Sequence, residues 1–189
     1  MRSPVVRGCP ICLQEDSAAH PGNPLAVMAM RGHWQLREVT ICLRHLPPLV
    51  ALWEEHEPVK RLDIQSQLGR IVDRLLDGSL RQPVLTPSAY DVWLDHRLET
   101  GEDPTWLSRH TLYAATAFCR LLGGELLRPR DIGYRQAEVD LRAAQAAGFE
   151  HARQGEAVLR QALEELAVTA SRALVEAPTA FGWLFVKLS

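Results

Sequence analysis

The chain has 189 residues and a formal net charge of −2, which argues against a protein that binds nucleic acid through bulk positive charge alone. Apolar residues make up 47% of the sequence, a usual share for a globular protein, but no run of about 18 of them predicts a membrane span. No apolar core of a signal peptide follows the N-terminus, and four cysteines in this length do not make a disulfide scaffold, so we expect a cytoplasmic protein.

The first predicted element is a small module over residues 1–48, defined by its cysteines. Cys9 and Cys12 are separated by two residues, and Cys42 and His45 repeat this spacing further along the chain. The two-residue gap lets the backbone turn so that both side chains of a pair face one point. Three thiolates and one imidazole are a closed tetrahedral ligand set for structural zinc. The sequence therefore predicts one Zn²⁺ ion bound by these four residues.

A closed ligand set also bears on catalysis. Catalytic zinc normally has three protein ligands and an open position for water or substrate, so this pattern argues against zinc hydrolysis. We therefore expect no enzyme activity. The fourth cysteine, Cys119, lies among apolar residues and is predicted to be a buried helix residue rather than a ligand.

Between the two pairs, the sequence favours a loop over residues 14–23 and a helix over residues 24–36. Residues 38–41 could instead form a short strand that leads into Cys42. The module contains five arginines and three carboxylate residues, and therefore carries an excess of two positive charges. This excess is small, and residues 49–189 are net acidic.

Residues 49–189 are predicted to form a helical domain. The clearest signal is in residues 64–76, where apolar residues recur on one helix face and Gly78 follows as a stop. Further helices are predicted over residues 49–56 and from a cap at Thr86 to Gly101. A helix over residues 107–122 is expected to stop at Gly123 and Gly124. Two long helices are predicted over residues 134–153 and 155–176, with weak points at Gly148 and Gly155, and a final apolar segment covers residues 181–188. The expected fold class is mainly α: a small N-terminal zinc-knuckle module followed by a multi-helix bundle.

Several segments resemble the TniQ family. Residues 7–16 are similar to the family's opening motif, Arg-x-Cys-Pro-x-Cys-Leu-x-x-Asp, and residues 33–45 resemble its tryptophan-bearing segment that leads into the second ligand pair. Residues 91–94 resemble its helix with a Trp-Leu pair, and residues 112–123 its Tyr-x-Ala-Ala helix with a later cysteine. Only eight residues precede Cys9, so we expect a member that lacks the usual N-terminal segment.

The resemblance implies a non-catalytic adaptor in DNA transposition. Such a protein would bind target DNA or a targeting complex and recruit an AAA+ transposition regulator. Separately from the resemblance, the helix face of residues 64–76 makes a second copy of the chain a candidate partner. The resemblance also implies that Cys9, Cys12, Cys42 and His45 correspond to the metal ligands of the family. Candidates for DNA contact are the arginines of the basic module: Arg7, Arg31, Arg37 and Arg44. The alternative is a zinc-stabilised helical module for protein–protein interaction that does not bind nucleic acid.

Overall fold

The computed structural model describes residues 4–20, 22–128 and 139–172. They contain seven α-helices and one two-stranded sheet, so the prediction of a mainly helical fold with an N-terminal Cys/His module is confirmed. No described helix is both long enough and apolar enough to cross a membrane. The predicted apolar segment 181–188 lies outside the described residues. Two compact units are formed, Met1–Pro87 and Ser88–Ser189.

The first unit begins with strand β1, Val5–Gly8, which runs directly into helix α1, Pro10–Ala18. Strand β2, Val50–Glu54, pairs antiparallel with β1. Pro10 occupies the first turn of α1, where its fixed φ and missing N–H are tolerated. Because α1 extends to Ala18, the predicted loop over residues 14–23 is wrong in its first half.

Two helix predictions in this unit are wrong. Residues 24–36 form only two short 3₁₀ segments, Pro24–Ala26 and Gly32–Gln35, since helix propensity is a weak prior that tertiary contacts override. Residues 49–56 contain β2 instead of a helix, because pairing with β1 satisfies their backbone groups. The alternative strand at residues 38–41 is reduced to a single bridge between Ile41 and Pro48.

Short helix α2, Pro58–Leu62, leads into helix α3, Ile64–Leu76, which confirms the predicted amphipathic helix. Gly78 follows it with φ 79°, the left-handed region that glycine enters without steric cost. This helix and the residues up to Pro87 belong to the N-terminal compact unit. The domain boundary predicted after residue 48 therefore lies inside that unit. Whether the metal-binding module itself ends at residue 48 stays a prediction.

The second unit contains helices α4 to α7. Their bounds are Ala89–Thr100, Leu112–Leu127, Leu141–Ala152 and Glu156–Arg172, and a 3₁₀ segment covers Trp106–Arg109. The N-cap of α4 is Ser88 rather than the predicted Thr86, because Ser88 and Asp91 form a reciprocal capping box. Gly101 ends this helix with φ 76°, as predicted.

Three glycines that were predicted to interrupt helices lie inside them instead: Gly123 and Gly124 are in α5, and Gly148 is in α6. Two of them, Gly123 and Gly148, lie against the neighbouring helix. A Cβ atom on Gly123 would lie 1.8 Å from the backbone oxygen of Ala144, and one on Gly148 would lie 1.8 Å from that of Cys119. The glycines therefore allow the backbones of α5 and α6 to approach each other closely. Cys119 is fully buried in α5, as predicted.

Candidate metal centre

The first pair of cysteines is placed by the junction of a strand and a helix. Cys9 follows β1 and is the N-cap residue of α1, and Cys12 lies in the first turn of that helix. Residues three apart share one face of a helix, so the two sulfurs face the same side. The helix N-terminus also carries a partial positive charge, which favours a thiolate there.

A tight turn places the second pair. Leu46 N–H donates to the Cys42 carbonyl at 2.7 Å, and Cys42 N–H donates to the Pro47 carbonyl at 3.0 Å. Leu46 has φ 70° and is the only described residue other than glycine with a positive φ. Non-glycine residues adopt this region at a cost, so the surrounding contacts hold the turn in a conformation that points His45 back towards Cys42.

The four predicted ligands converge on one point. The ligand atoms of Cys9, Cys12, Cys42 and His45 all lie within 4.8 Å of one another. The sulfurs of Cys12 and Cys42 are 3.7 Å apart, and Nδ1 of His45 lies 3.7, 3.3 and 3.9 Å from the sulfurs of Cys9, Cys12 and Cys42.

These separations fit a tetrahedral zinc site. With Zn–S bonds of about 2.3 Å, tetrahedral geometry places two sulfurs about 3.8 Å apart; with a Zn–N bond of about 2.0 Å, it places sulfur and nitrogen about 3.5 Å apart. The donor set is also appropriate, because thiolates and imidazole favour zinc over hard cations such as Mg²⁺ or Ca²⁺.

Proton sharing among the thiols reflects this crowding. Hydrogen bonds from Cys12 and then Cys9 lower the pKa of the Cys42 thiol, and the bond to Cys42 raises the pKa of the Cys12 thiol. The pKa of the Cys9 thiol is also raised: its hydrogen bond with Cys12 lowers it, but the bond with Cys42 and burial outweigh this. A cation at the centre of the cluster would allow all three sulfurs to be negatively charged.

The outer nitrogen of His45 has a carboxylate partner that the sequence analysis missed. Nε2 of His45 lies 2.9 Å from Oε1 of Glu15, and Oε2 of Glu15 lies 2.7 Å from the guanidinium of Arg44. Glu15 is three residues after Cys12 and therefore on the same face of α1. The sequence would have placed Glu15 next to the ligands if residues 10–18 had been predicted as a helix, but residues 14–23 were predicted as a loop.

The four arginines proposed as DNA contacts differ in their surroundings. Arg31 forms a salt bridge with Asp16 and lies over the ring of Trp34, 5.2 Å from its centroid. Arg7 is half-buried and donates to the backbone oxygen of Leu36 at 2.6 Å, and this burial lowers its pKa.

Arg37 and Arg44 are the exposed members of this group. Arg44 pairs with Glu15, but 64% of its side chain is accessible to solvent. Arg37 is exposed, and within the described part of the chain no hydrogen bond or ion pair is found for it. These two side chains are therefore better placed to meet an external anion than Arg7 and Arg31.

Comparison with known families agrees with the interpretation of the N-terminus. Residues 1–49 match the TniQ family model. The match contains both ligand pairs and confirms the resemblance inferred from the motif Arg-x-Cys-Pro-x-Cys-Leu. The match covers about a quarter of the chain. Proteins of this family are generally non-catalytic adaptors in transposition that work in complexes with DNA and ATPases. No curated protein and no solved structure matches the chain.

Proposed function

We propose that residues 1–49 bind one structural zinc ion through Cys9, Cys12, Cys42 and His45. The convergence of three sulfurs and one imidazole nitrogen at tetrahedral separations, inside a TniQ match, is the observation that supports this. Zinc would neutralise the clustered thiolates and tie the β1–α1 junction to the Cys42–His45 turn. With all four positions taken by protein, the ion stabilises the fold and activates no water.

Metal analysis of the purified chain tests this site. We expect one zinc per chain, lost in Cys42→Ser and retained in the matched variant Cys119→Ala, whose cysteine lies outside the cluster. Zinc in the parent at well below one per chain after refolding with Zn²⁺, or an unchanged content in Cys42→Ser, would refute the proposal.

We further propose that the protein is a non-catalytic adaptor in DNA transposition, which contacts DNA through the zinc module and recruits an AAA+ regulator. The TniQ match supports the role, and the exposed Arg37 and Arg44 of the same module support the phosphate contact. Arg7 and Arg31 are proposed to act indirectly, by holding the module together through their internal contacts.

A DNA titration across a salt series tests the contact. Each phosphate contact adds about 0.9 to the slope of log affinity against log salt, so the double variant Arg37→Ala/Arg44→Ala is expected to reduce that slope by about 1.8. Arg160→Ala is the control, because Arg160 is similarly exposed at 69% and paired with a glutamate, but lies in α7. An equal slope in the parent and the double variant would contradict the assignment.

The alternative is a zinc-stabilised module for protein–protein interaction without DNA binding. It is favoured by the internal use of Arg7 and Arg31 and by the pairing of Arg44 with Glu15, which together leave the module little free positive charge. A parent protein with no affinity for duplex DNA at low salt would select this alternative. Measuring the mass of the chain in solution, alone and with an AAA+ ATPase from the same element, would then separate a homodimer from the proposed recruitment.

A further inference from the structure

We propose that Glu15 is a positioning residue for the metal ligand His45. It accepts a hydrogen bond from Nε2–H and thereby keeps the lone pair of Nδ1 directed at the three sulfurs. This inference rests on the proposed metal site and adds to it a residue outside the ligand set. The observation that carries it is the 2.9 Å contact between Nε2 of His45 and Oε1 of Glu15.

The chemistry of the two groups fixes the direction of the hydrogen bond. An ionised carboxylate can only accept, so Nε2 must carry the proton. In a neutral imidazole the other nitrogen, Nδ1, then has a free lone pair. Nδ1 is the atom that faces the sulfurs, at 3.3 Å from Cys12 Sγ. One contact on the outer side of the ring therefore selects the tautomer that a metal requires on the inner side.

Burial of the ring makes this selection effective. The His45 side chain is only 13% exposed, whereas that of Glu15 is 44% exposed. With Glu15 in place, little of the ring is left for water to contact. Carboxylate partners of metal-bound histidines typically contribute about 10- to 100-fold in metal affinity. Because Glu15 is itself partly solvated, we expect the lower end of this range.

Arg44 supports the orientation of Glu15 from the other side. Its guanidinium lies 2.7 Å from Oε2, so the two carboxylate oxygens have different partners. Exposed ion pairs contribute little to stability, and Arg44 is mostly exposed. Removal of Arg44 should therefore affect metal affinity much less than removal of Glu15.

The chain contains a matched control for the same pair of residue types. Nε2 of His56 lies 3.3 Å from Oε1 of Glu54, with side chains 81% and 59% exposed, and neither residue belongs to the Cys/His cluster. Glu54→Ala removes a carboxylate from a histidine in the same unit without touching the proposed site. It therefore reports any general effect of losing one negative charge.

The experiment compares zinc affinity, measured by competition with a chromophoric chelator, in the parent, Glu15→Ala, Glu15→Gln and Glu54→Ala. We expect about a tenfold loss in Glu15→Ala, a smaller loss in Glu15→Gln, whose amide oxygen still accepts, and no change in Glu54→Ala. In parallel, ¹⁵N NMR of the zinc-loaded chains reads the His45 ring. We expect metal-bound Nδ1 and a slowly exchanging Nε2–H in the parent, and rapid exchange of that proton in Glu15→Ala.

The outcomes separate the two proposals. If the parent binds zinc but Glu15→Ala matches Glu54→Ala in affinity and keeps a protected Nε2–H, the positioning role is refuted and the metal site stands. Metal bound through Nε2 in the parent would also overturn it. If the parent binds no zinc, the site itself is refuted. A loss of folding stability without loss of Nε2–H protection would indicate a merely structural role.

Discussion

Replacing Gly123 by alanine should destabilise the second unit, although alanine is the better helix former. The added Cβ would lie 1.8 Å from the Ala144 carbonyl oxygen and 2.7 Å from the Gly148 backbone nitrogen. Both are backbone atoms, which cannot rotate away as the end of a side chain could. Helices α5 and α6 would have to separate by more than about 1 Å to restore normal contact.

The size of the effect follows from two opposing terms. Overpacking a close-packed interface costs about 1–3 kcal/mol, and occasionally more, and a clash between backbones belongs at the upper end. Alanine regains about 1 kcal/mol through its helix propensity. The expected net loss is about 2 kcal/mol, which lowers the melting temperature of a unit of this size by roughly 10 °C.

The neighbouring glycine provides the control. Gly124 lies in the same helix, and a Cβ built on it meets nothing within 4 Å. Gly124→Ala should therefore stabilise the chain by about 0.5–1 kcal/mol. Thermal and urea unfolding of both full-length variants give the comparison. If Gly123→Ala melts at or above the parent temperature, the close approach of α5 and α6 does not limit the stability of the second unit.

Three further outcomes are expected. Chelation of zinc, or Cys42→Ser, should unfold the N-terminal unit and expose Trp34, whose side chain is 1% accessible in the folded protein. Its fluorescence should then shift to the red, and an unchanged spectrum would contradict metal-dependent folding. Arg31 lowers the pKa of the Asp16 carboxyl by hydrogen bonding, so this pair stabilises the fold above pH ~4 and the contribution disappears on acidification. Asp16→Asn should thus cost about 1–2 kcal/mol at pH 7 and less at high salt, which screens this partly exposed pair; an equal cost at low and high salt would exclude the charge as its origin. Ser88→Ala should cost about 1 kcal/mol in urea unfolding through loss of the α4 cap, and no loss would mean that water replaces it.

The sequence predicted the structure best where neighbouring residues determine the local conformation or the ligand spacing. The spacing of two cysteine–ligand pairs predicted the cluster, and the apolar period of residues 64–76 predicted α3. Gly78 and Gly101 were correctly predicted as helix ends, since both adopt positive φ. For the helix and its ends the determining interaction lies within a few residues of chain. For the cluster only the spacing within each pair is local, because Cys12 and Cys42 are 30 residues apart.

Predictions were wrong where the local structure depends on residues that are distant in sequence. Whether residues 50–54 form a strand depends on β1, more than forty positions earlier in the chain. Gly123 and Gly148 were predicted as breaks because glycine disfavours helices, but their role is set by a neighbouring helix that sequence pattern does not locate. Glu15 was missed for a similar reason, since its partner His45 comes from a separate turn.

The β1–β2 pair and the proposed metal cluster close nearly the same stretch of chain. Strand residue Gly8 pairs with Val50, and the ligands run from Cys9 to His45. Bringing together the ends of a flexible loop of this length costs roughly 3 kcal/mol in chain entropy. Whichever closure forms first bears that cost, and the second forms with little further loss. A metal ion and a five-residue strand, each weak alone, would then fold as one cooperative switch, so loss of the ion would also release the strands.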